Sequence, residues 1–104
     1  MLGTYDPTHL LKDAAKSLST VAEDLAAGRA EWDRPRDVAK SLEWLRDLTG
    51  DLSRVLIQQA GVLPRMTNDP DAPVAGQHLA EAAATATQLG NQLRKAHESA
   101  DYIR

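Results

Sequence analysis

The sequence contains no cysteine and no phenylalanine, and its only aromatic residues are two tryptophans and two tyrosines. The absence of cysteine excludes disulfides, thiolate zinc sites and thiol nucleophiles. With so few aromatic residues, a core has to be built from alanine and leucine, which are strong helix formers. β-branched residues are sparse and never alternate with polar ones over the length of a strand, so we expect an all-α fold.

Long apolar runs and an excess of basic charge are also missing. No run approaches the roughly 18 residues of a membrane span, and the N-terminal segment lacks the basic and apolar regions of a signal peptide. We therefore expect a cytoplasmic protein that does not associate with membranes. The formal charge of −3 over 104 residues argues against nucleic acid as a partner, because proteins that bind it usually present a basic face.

The spacing of apolar residues predicts three helices. Asp6 and Pro7 are typical of a helix start, and Gly28 is typical of a helix end. Gly61 and Pro64 predict the end of the second helix, and Gly50 within that helix predicts the close approach of another helix. The predicted elements of a single domain over residues 1–104 are helix A at about 7–27, helix B at about 35–60, a linker at 61–72 and helix C at about 73–103. Together they predict an up-down-up, antiparallel three-helix bundle with a long C-terminal helix.

Helix C carries an apolar ladder with unbroken 4-3 spacing and mostly alanine rungs. A charge-free stretch from Gln77 to Leu93, interrupted only by Glu81, indicates that other helices enclose this one. At 1.5 Å per residue, roughly 15 Å of helix C would project beyond helix A. We therefore predict that oligomerisation completes the bundle, most simply as an antiparallel dimer. The predicted self-association interface is the ladder: Ala75, Leu79, Ala82, Ala86, Leu89, Leu93, Ala96, Ala100 and Ile103.

No combination of side chains indicates a catalytic or metal site. His9, His78 and His97 form no pair at i, i+4 and no repeated Glu-x-x-His, the spacings that helical metal sites use. His97 and Asp101 are four residues apart, which a surface ion pair explains. Gly-rich phosphate loops and nucleophile motifs are absent. The sequence therefore predicts a protein that is not an enzyme and has no cofactor.

The leading functional hypothesis is a non-enzymatic protein–protein interaction module that forms a homodimer through helix C and binds an unidentified protein partner. Trp44, Lys40 and Asp47 on helix B are the candidate partner contacts. Trp44 borders the apolar stripe of helix B. It is therefore either the edge of the core, which we favour, or an anchor for a partner.

The alternative hypothesis is a dimeric accessory protein that binds nucleic acid through a basic patch at the start of helix B. The candidate phosphate contacts are Arg29, Arg34, Arg36 and Lys40. Glu31, Asp33 and Asp37 are interleaved with them and reduce the positive potential that phosphate contacts need. Nucleic acid is therefore the less favoured partner.

Overall fold

The computed structural model describes residues 3–103 and contains three α-helices and no strand within that range. The all-α prediction is confirmed. The helices are α1 at Thr8–Ala26, α2 at Pro35–Met66 and α3 at Asp71–Ala100. The chain divides into two compact units, Met1–Asp33 and Arg34–Arg104.

The first unit contains α1, whose two ends lie within one residue of the predicted bounds. Asp6 Oδ1 accepts hydrogen bonds from the backbone N–H of Thr8 at 2.8 Å and from its hydroxyl at 2.6 Å. At the other end Gly28 adopts a φ of 75°, the left-handed conformation that commonly stops helices. None of the residues of α1 is buried, so its apolar stripe remains open.

The second unit is an antiparallel hairpin of α2 and α3, which pack against each other along their lengths. A four-residue loop, 67–70, joins them. The direction follows from two close approaches, since Gly76 lies next to Ala60 and Gly90 lies next to Thr49. Moving forward along α3 therefore means moving backward along α2.

α2 continues to Met66, six residues beyond the predicted stop, and it includes Pro64. The expectation that Pro64 ends the helix was wrong. Proline inside a helix leaves the carbonyl four residues earlier without its donor, at a cost of about 3 kcal/mol. Here α3 packs on that turn: a Cβ added at Gly76 would lie 3.1 Å from the Ala60 carbonyl oxygen and 3.5 Å from the Pro64 ring. The turn that contains Pro64 is thus part of the contact between the two helices, and the predicted linker shortens to the loop 67–70.

α3 begins at Asp71, two residues before the predicted start. The Asp69 carboxylate accepts a hydrogen bond from the backbone N–H of Asp71 at 2.9 Å. The Asp69 side chain therefore satisfies one of the backbone N–H groups that the start of a helix leaves unpaired. Pro73 lies in the first turn of α3, where a helix does not need its N–H.

The two hairpin helices have nearly equal lengths of 32 and 30 residues. At 1.5 Å per residue they span about 48 and 45 Å, whereas the 19 residues of α1 span about 28 Å. α2 is therefore long enough to accompany α3 over its whole length, which the predicted lengths did not allow.

Small residues form the seam between α2 and α3. The buried residues on the two helices are Ala39, Thr49 and Ser53 on α2 and Ala72, Gly76, Ala83 and Ala86 on α3. Across residues 3–103 no large side chain is fully buried. Gly50, where the sequence predicted close approach, has no atom within 4 Å of an added Cβ. The close approaches occur instead at Gly76 and Gly90.

Candidate functional site

The predicted ladder of α3 divides between the hairpin seam and the outer surface. Ala86 is buried against α2. The half-buried rungs are Ala75, Leu79, Leu93 and Ala100, and the exposed rungs are Ala82, Leu89, Ala96 and Ile103. The line of ladder residues is therefore offset around the axis of α3 from the line of contact with α2. Its buried and half-buried rungs form the edge next to α2, and its exposed rungs form an outer edge that another helix could contact.

The apolar stripe of α2 is rotated away from the seam in the same manner. Its leucines at 45, 48 and 52 are exposed, and each immediately precedes a residue that is at least half-buried. Successive residues of a helix are about 100° apart around its axis. These leucines therefore lie beside the contact with α3 and not in it.

The free edges of the two helices lie on one side of the hairpin. On α3, Ala82, Leu89 and Ala96 likewise each precede a residue that is at least half-buried. In an antiparallel pair of right-handed helices, positions displaced from the seam by the same rotation lie on the same side. We call this surface the apolar groove and define it as Leu45, Leu48, Leu52, Ala82, Leu89 and Ala96.

Hydroxyl groups within the seam link the two helices. Ser53 Oγ donates a hydrogen bond to the Ala83 carbonyl oxygen at 3.0 Å and lies 3.1 Å from Thr87 Oγ1. Thr49 Oγ1 donates instead to the Arg46 carbonyl oxygen, within its own helix, at 2.7 Å. The sequence interpretation missed these hydroxyl residues because it followed apolar side chains alone. The signal that could have found them is small residues repeated at helical spacing.

The candidate partner contacts lie on the open surface of α2. Trp44 is 64% exposed, so the interpretation of Trp44 as a core edge was wrong. The Lys40 ammonium lies 5.8 Å from the Trp44 ring centroid and 3.3 Å from the Glu43 carboxylate. Asp47 lies 3.9 Å from the Arg46 guanidinium. The surface therefore combines one large aromatic ring with charges of both signs.

Three of the four candidate phosphate contacts lie together at the open end of the hairpin. Arg34, Arg36 and Lys40 line a cleft of about 740 Å³. Carboxylates accompany two of them, with Arg34 3.5 Å from Asp37 and Lys40 3.3 Å from Glu43. The remaining lining residues are Pro35, Ala39, Glu43, His97, Ala100, Asp101 and Ile103.

The fourth candidate, Arg29, belongs to the other unit. Its Nε lies 3.0 Å from Asp24 Oδ1. Three of the four cations therefore already have an acidic neighbour, which lowers the positive potential that they offer to a phosphate.

Two of the histidines each lie beside one carboxylate. His78 lies 3.8 Å from Glu81, and His97 lies 3.7 Å from Asp101. Over residues 3–103 no three such side chains are placed to hold a metal ion. None of the helices in the described chain combines the length and hydropathy of a membrane span.

Comparison with protein-family models, curated proteins and solved structures finds no match to the chain.

Proposed function

We propose that the protein is a non-enzymatic helical interaction module that self-associates through α3 and binds a protein partner through α2. The observation that carries this proposal is the distribution of side-chain sizes in the hairpin. Small residues fill its seam, and its leucines remain partly exposed. Full burial of a leucine contributes about 1.5–3 kcal/mol. A contact with another helix that covers these leucines would add stabilisation that the hairpin alone does not have.

The proposed assembly includes α1 as the third helix of each bundle. Leu11, Leu18 and Val21 give α1 an exposed apolar stripe that would gain by packing on the hairpin. A helix of 19 residues would cover only about three-fifths of a 45 Å surface. A second copy of the chain covers the remainder in this proposal, and the fold becomes an oligomer of three-helix bundles.

Light scattering on the full chain at tens of micromolar tests self-association. We expect the mass of a dimer, and a clean monomer would contradict the proposal. Leu89→Lys should shift the chain toward monomer because Leu89 is 50% exposed on the free edge of α3. Ala80→Lys is the matched control, since Ala80 is exposed on the other side of the same helix. Circular dichroism checks that both variants remain helical.

A second experiment tests the partner surface of Trp44, Lys40 and Asp47. Exposed tryptophan is enriched among residues that dominate binding energy at protein interfaces. Proteins that co-purify with the wild type should be lost with Trp44→Ala and retained with Trp32→Ala. Trp32 is a suitable control because it is also exposed and lies in the other unit. Equal retention by both variants would contradict the assignment of this surface.

The convergence of Arg34, Arg36 and Lys40 on one cleft supports nucleic-acid binding as the second candidate function. Phosphate contacts release counterions, so such binding weakens steeply between about 50 and 200 mM salt. Duplex binding that is present at the lower salt concentration and reduced by Arg36→Gln would favour this candidate. A lack of binding at the lower concentration would exclude it.

A further inference from the structure

The last part of α2, from Gly61 to Met66, has a sequence that is unfavourable for a helix. It contains Gly61 and Pro64, and glycine and proline are the two residue types with the lowest helix propensity. Proline also lacks the N–H that would donate to the carbonyl oxygen of Ala60, four residues earlier. The local sequence therefore opposes the helix that the structure shows here.

The start of α3 has local support that the end of α2 lacks. The Asp69 carboxylate accepts a hydrogen bond from the backbone N–H of Asp71 at 2.9 Å, and the Asp69 carbonyl oxygen accepts one from that of Ala72 at 3.0 Å. At the end of α2 the chain continues into Thr67, which is extended, with φ −154° and ψ 154°. Thr67 is therefore not the left-handed residue that commonly closes a helix.

The first turns of α3 pack on this part of α2. Ala72 and Gly76 are buried on the side of α3 that contacts α2. A Cβ added at Gly76 would lie 3.1 Å from the Ala60 carbonyl oxygen and 3.5 Å from Pro64 Cγ, and Pro64 itself is half-buried. The contact thus falls on the residue that disfavours the helix and on the carbonyl group that it leaves without a donor.

We propose that residues 61–66 are a conditional helical segment, whose helix depends on this contact with α3. The segment is helical while Gly76 packs on Ala60 and Pro64, and it unwinds when the contact opens. α2 then ends near Ala60, and the connection between the two helices lengthens from residues 67–70 to residues 61–70. The segment is a hinge at the loop end of the hairpin, and it does not depend on the self-association proposed above.

The opening is local because the next part of the seam has its own link. Ser53 on α2 donates a hydrogen bond to the Ala83 carbonyl oxygen on α3, and Ser53 lies about 10 Å along α2 from Ala60. Proteins open in local units whose free energies are below that of global unfolding. Unwinding of residues 61–66 therefore leaves the hydrogen-bonded part of the seam in place.

Two valine substitutions in the full chain test whether this helix depends on α3. Gly76→Val would press on Ala60 and Pro64, whereas an added Cβ at Gly50 meets nothing within 4 Å. In Gly76→Val the backbone ¹³C chemical shifts of residues 61–66 should move to coil values, and those of residues 45–56 should stay helical. In the control Gly50→Val both segments should stay helical. Helical shifts for residues 61–66 in Gly76→Val would overturn the proposal.

Pro64→Ala tests the proposal even if Gly76→Val unfolds the whole hairpin. Alanine restores the missing N–H and favours the helix, so the segment should unwind less often. Amide hydrogen exchange at Leu63 and Met66 should slow at least about tenfold. Pro7→Ala is the matched control, because Pro7 lies in the other unit, and it should change these rates by less than about twofold. Unchanged exchange in Pro64→Ala, or equal slowing in the control, would overturn the conditional segment.

Discussion

The Ser53 hydroxyl on α2 donates a hydrogen bond to the Ala83 carbonyl oxygen on α3 at 3.0 Å. The Thr87 hydroxyl donates to the same oxygen at 3.2 Å. Ser53 and Ala83 are both buried, so this link is shielded from water. A side chain larger than serine would push the helices apart, and one without a hydroxyl would lose the connection between them.

Ser53→Ala should therefore lower the free energy of unfolding by about 1 kcal/mol, the usual net value of one hydrogen bond. The loss is limited because the Ala83 oxygen keeps Thr87 as a donor. Ser41→Ala is the matched control, since the Ser41 hydroxyl bonds only the Val38 carbonyl of its own helix. We expect this control to remain within about 0.5 kcal/mol of the wild type. Urea unfolding measures both values, and equal losses would refute a special role for the interhelical bond.

Replacing glycine by alanine should stabilise the chain at Gly50 and destabilise it at Gly76 and Gly90. Gly50 lies mid-helix with open space around an added Cβ, so Gly50→Ala should stabilise the chain by about 0.5–1 kcal/mol. An added Cβ would lie 2.9 Å from Thr49 Oγ1 at Gly90 and 3.1 Å from the Ala60 carbonyl oxygen at Gly76. Overpacking there should destabilise the hairpin by about 1 kcal/mol or more. Thermal unfolding tests this, and a Gly90→Ala variant as stable as Gly50→Ala would contradict the close approach.

Some features of the fold could be predicted from the sequence alone, and the position of the close approach between helices could not. Helix content followed from composition and apolar spacing, and the stop at Gly28 followed from local chemistry. The close approach could not be placed, because Gly50, Gly76 and Gly90 look alike until the partner helix is known. Only tertiary packing decides which glycine faces a neighbour.

The same limit applies to the apolar ladder of α3. Its 4-3 spacing indicated a packed face, but spacing alone does not reveal where the contact with α2 falls around the helix. The structure places Ala83 and Gly76 in the seam and leaves Leu89 outside. The prediction that α2 ends before Pro64 failed for a related reason. It considered the hydrogen bond that proline removes from the helix but not the contact that α3 makes with this turn.

The start of α1 should depend on pH through Asp6. The hydrogen bond from the Thr8 hydroxyl, followed by that from the Thr8 backbone N–H, lowers the pKa of Asp6 below its ordinary value of 3.8. A carboxylate with a lowered pKa stabilises the folded state above the unfolded-state pKa, and this contribution is lost as the pH falls through the folded-state pKa. The first turn of α1 should therefore fray as the pH decreases below 3.8.

Asp6→Asn provides the control for this titration. Asparagine caps helices about as well as aspartate but does not ionise. The variant should keep the first turn of α1 and lose its dependence on acidic pH. Backbone ¹³C chemical shifts of residues 8–12 report the helicity of that turn. An acid transition that persists unchanged in the variant would assign the fraying to another group.

Trp44 and Lys40 should be coupled, but only weakly. The Lys40 ammonium lies 5.8 Å from the Trp44 ring centroid, and an exposed cation–π contact contributes about 0.5–1 kcal/mol. A double-mutant cycle with Trp44→Ala and Lys40→Gln should give a coupling energy of that size in urea unfolding. Repeating the cycle with Glu43→Gln as background removes the competing ion pair of Lys40. A coupling energy near zero in both backgrounds would contradict a stabilising contact between the Lys40 ammonium and the Trp44 ring.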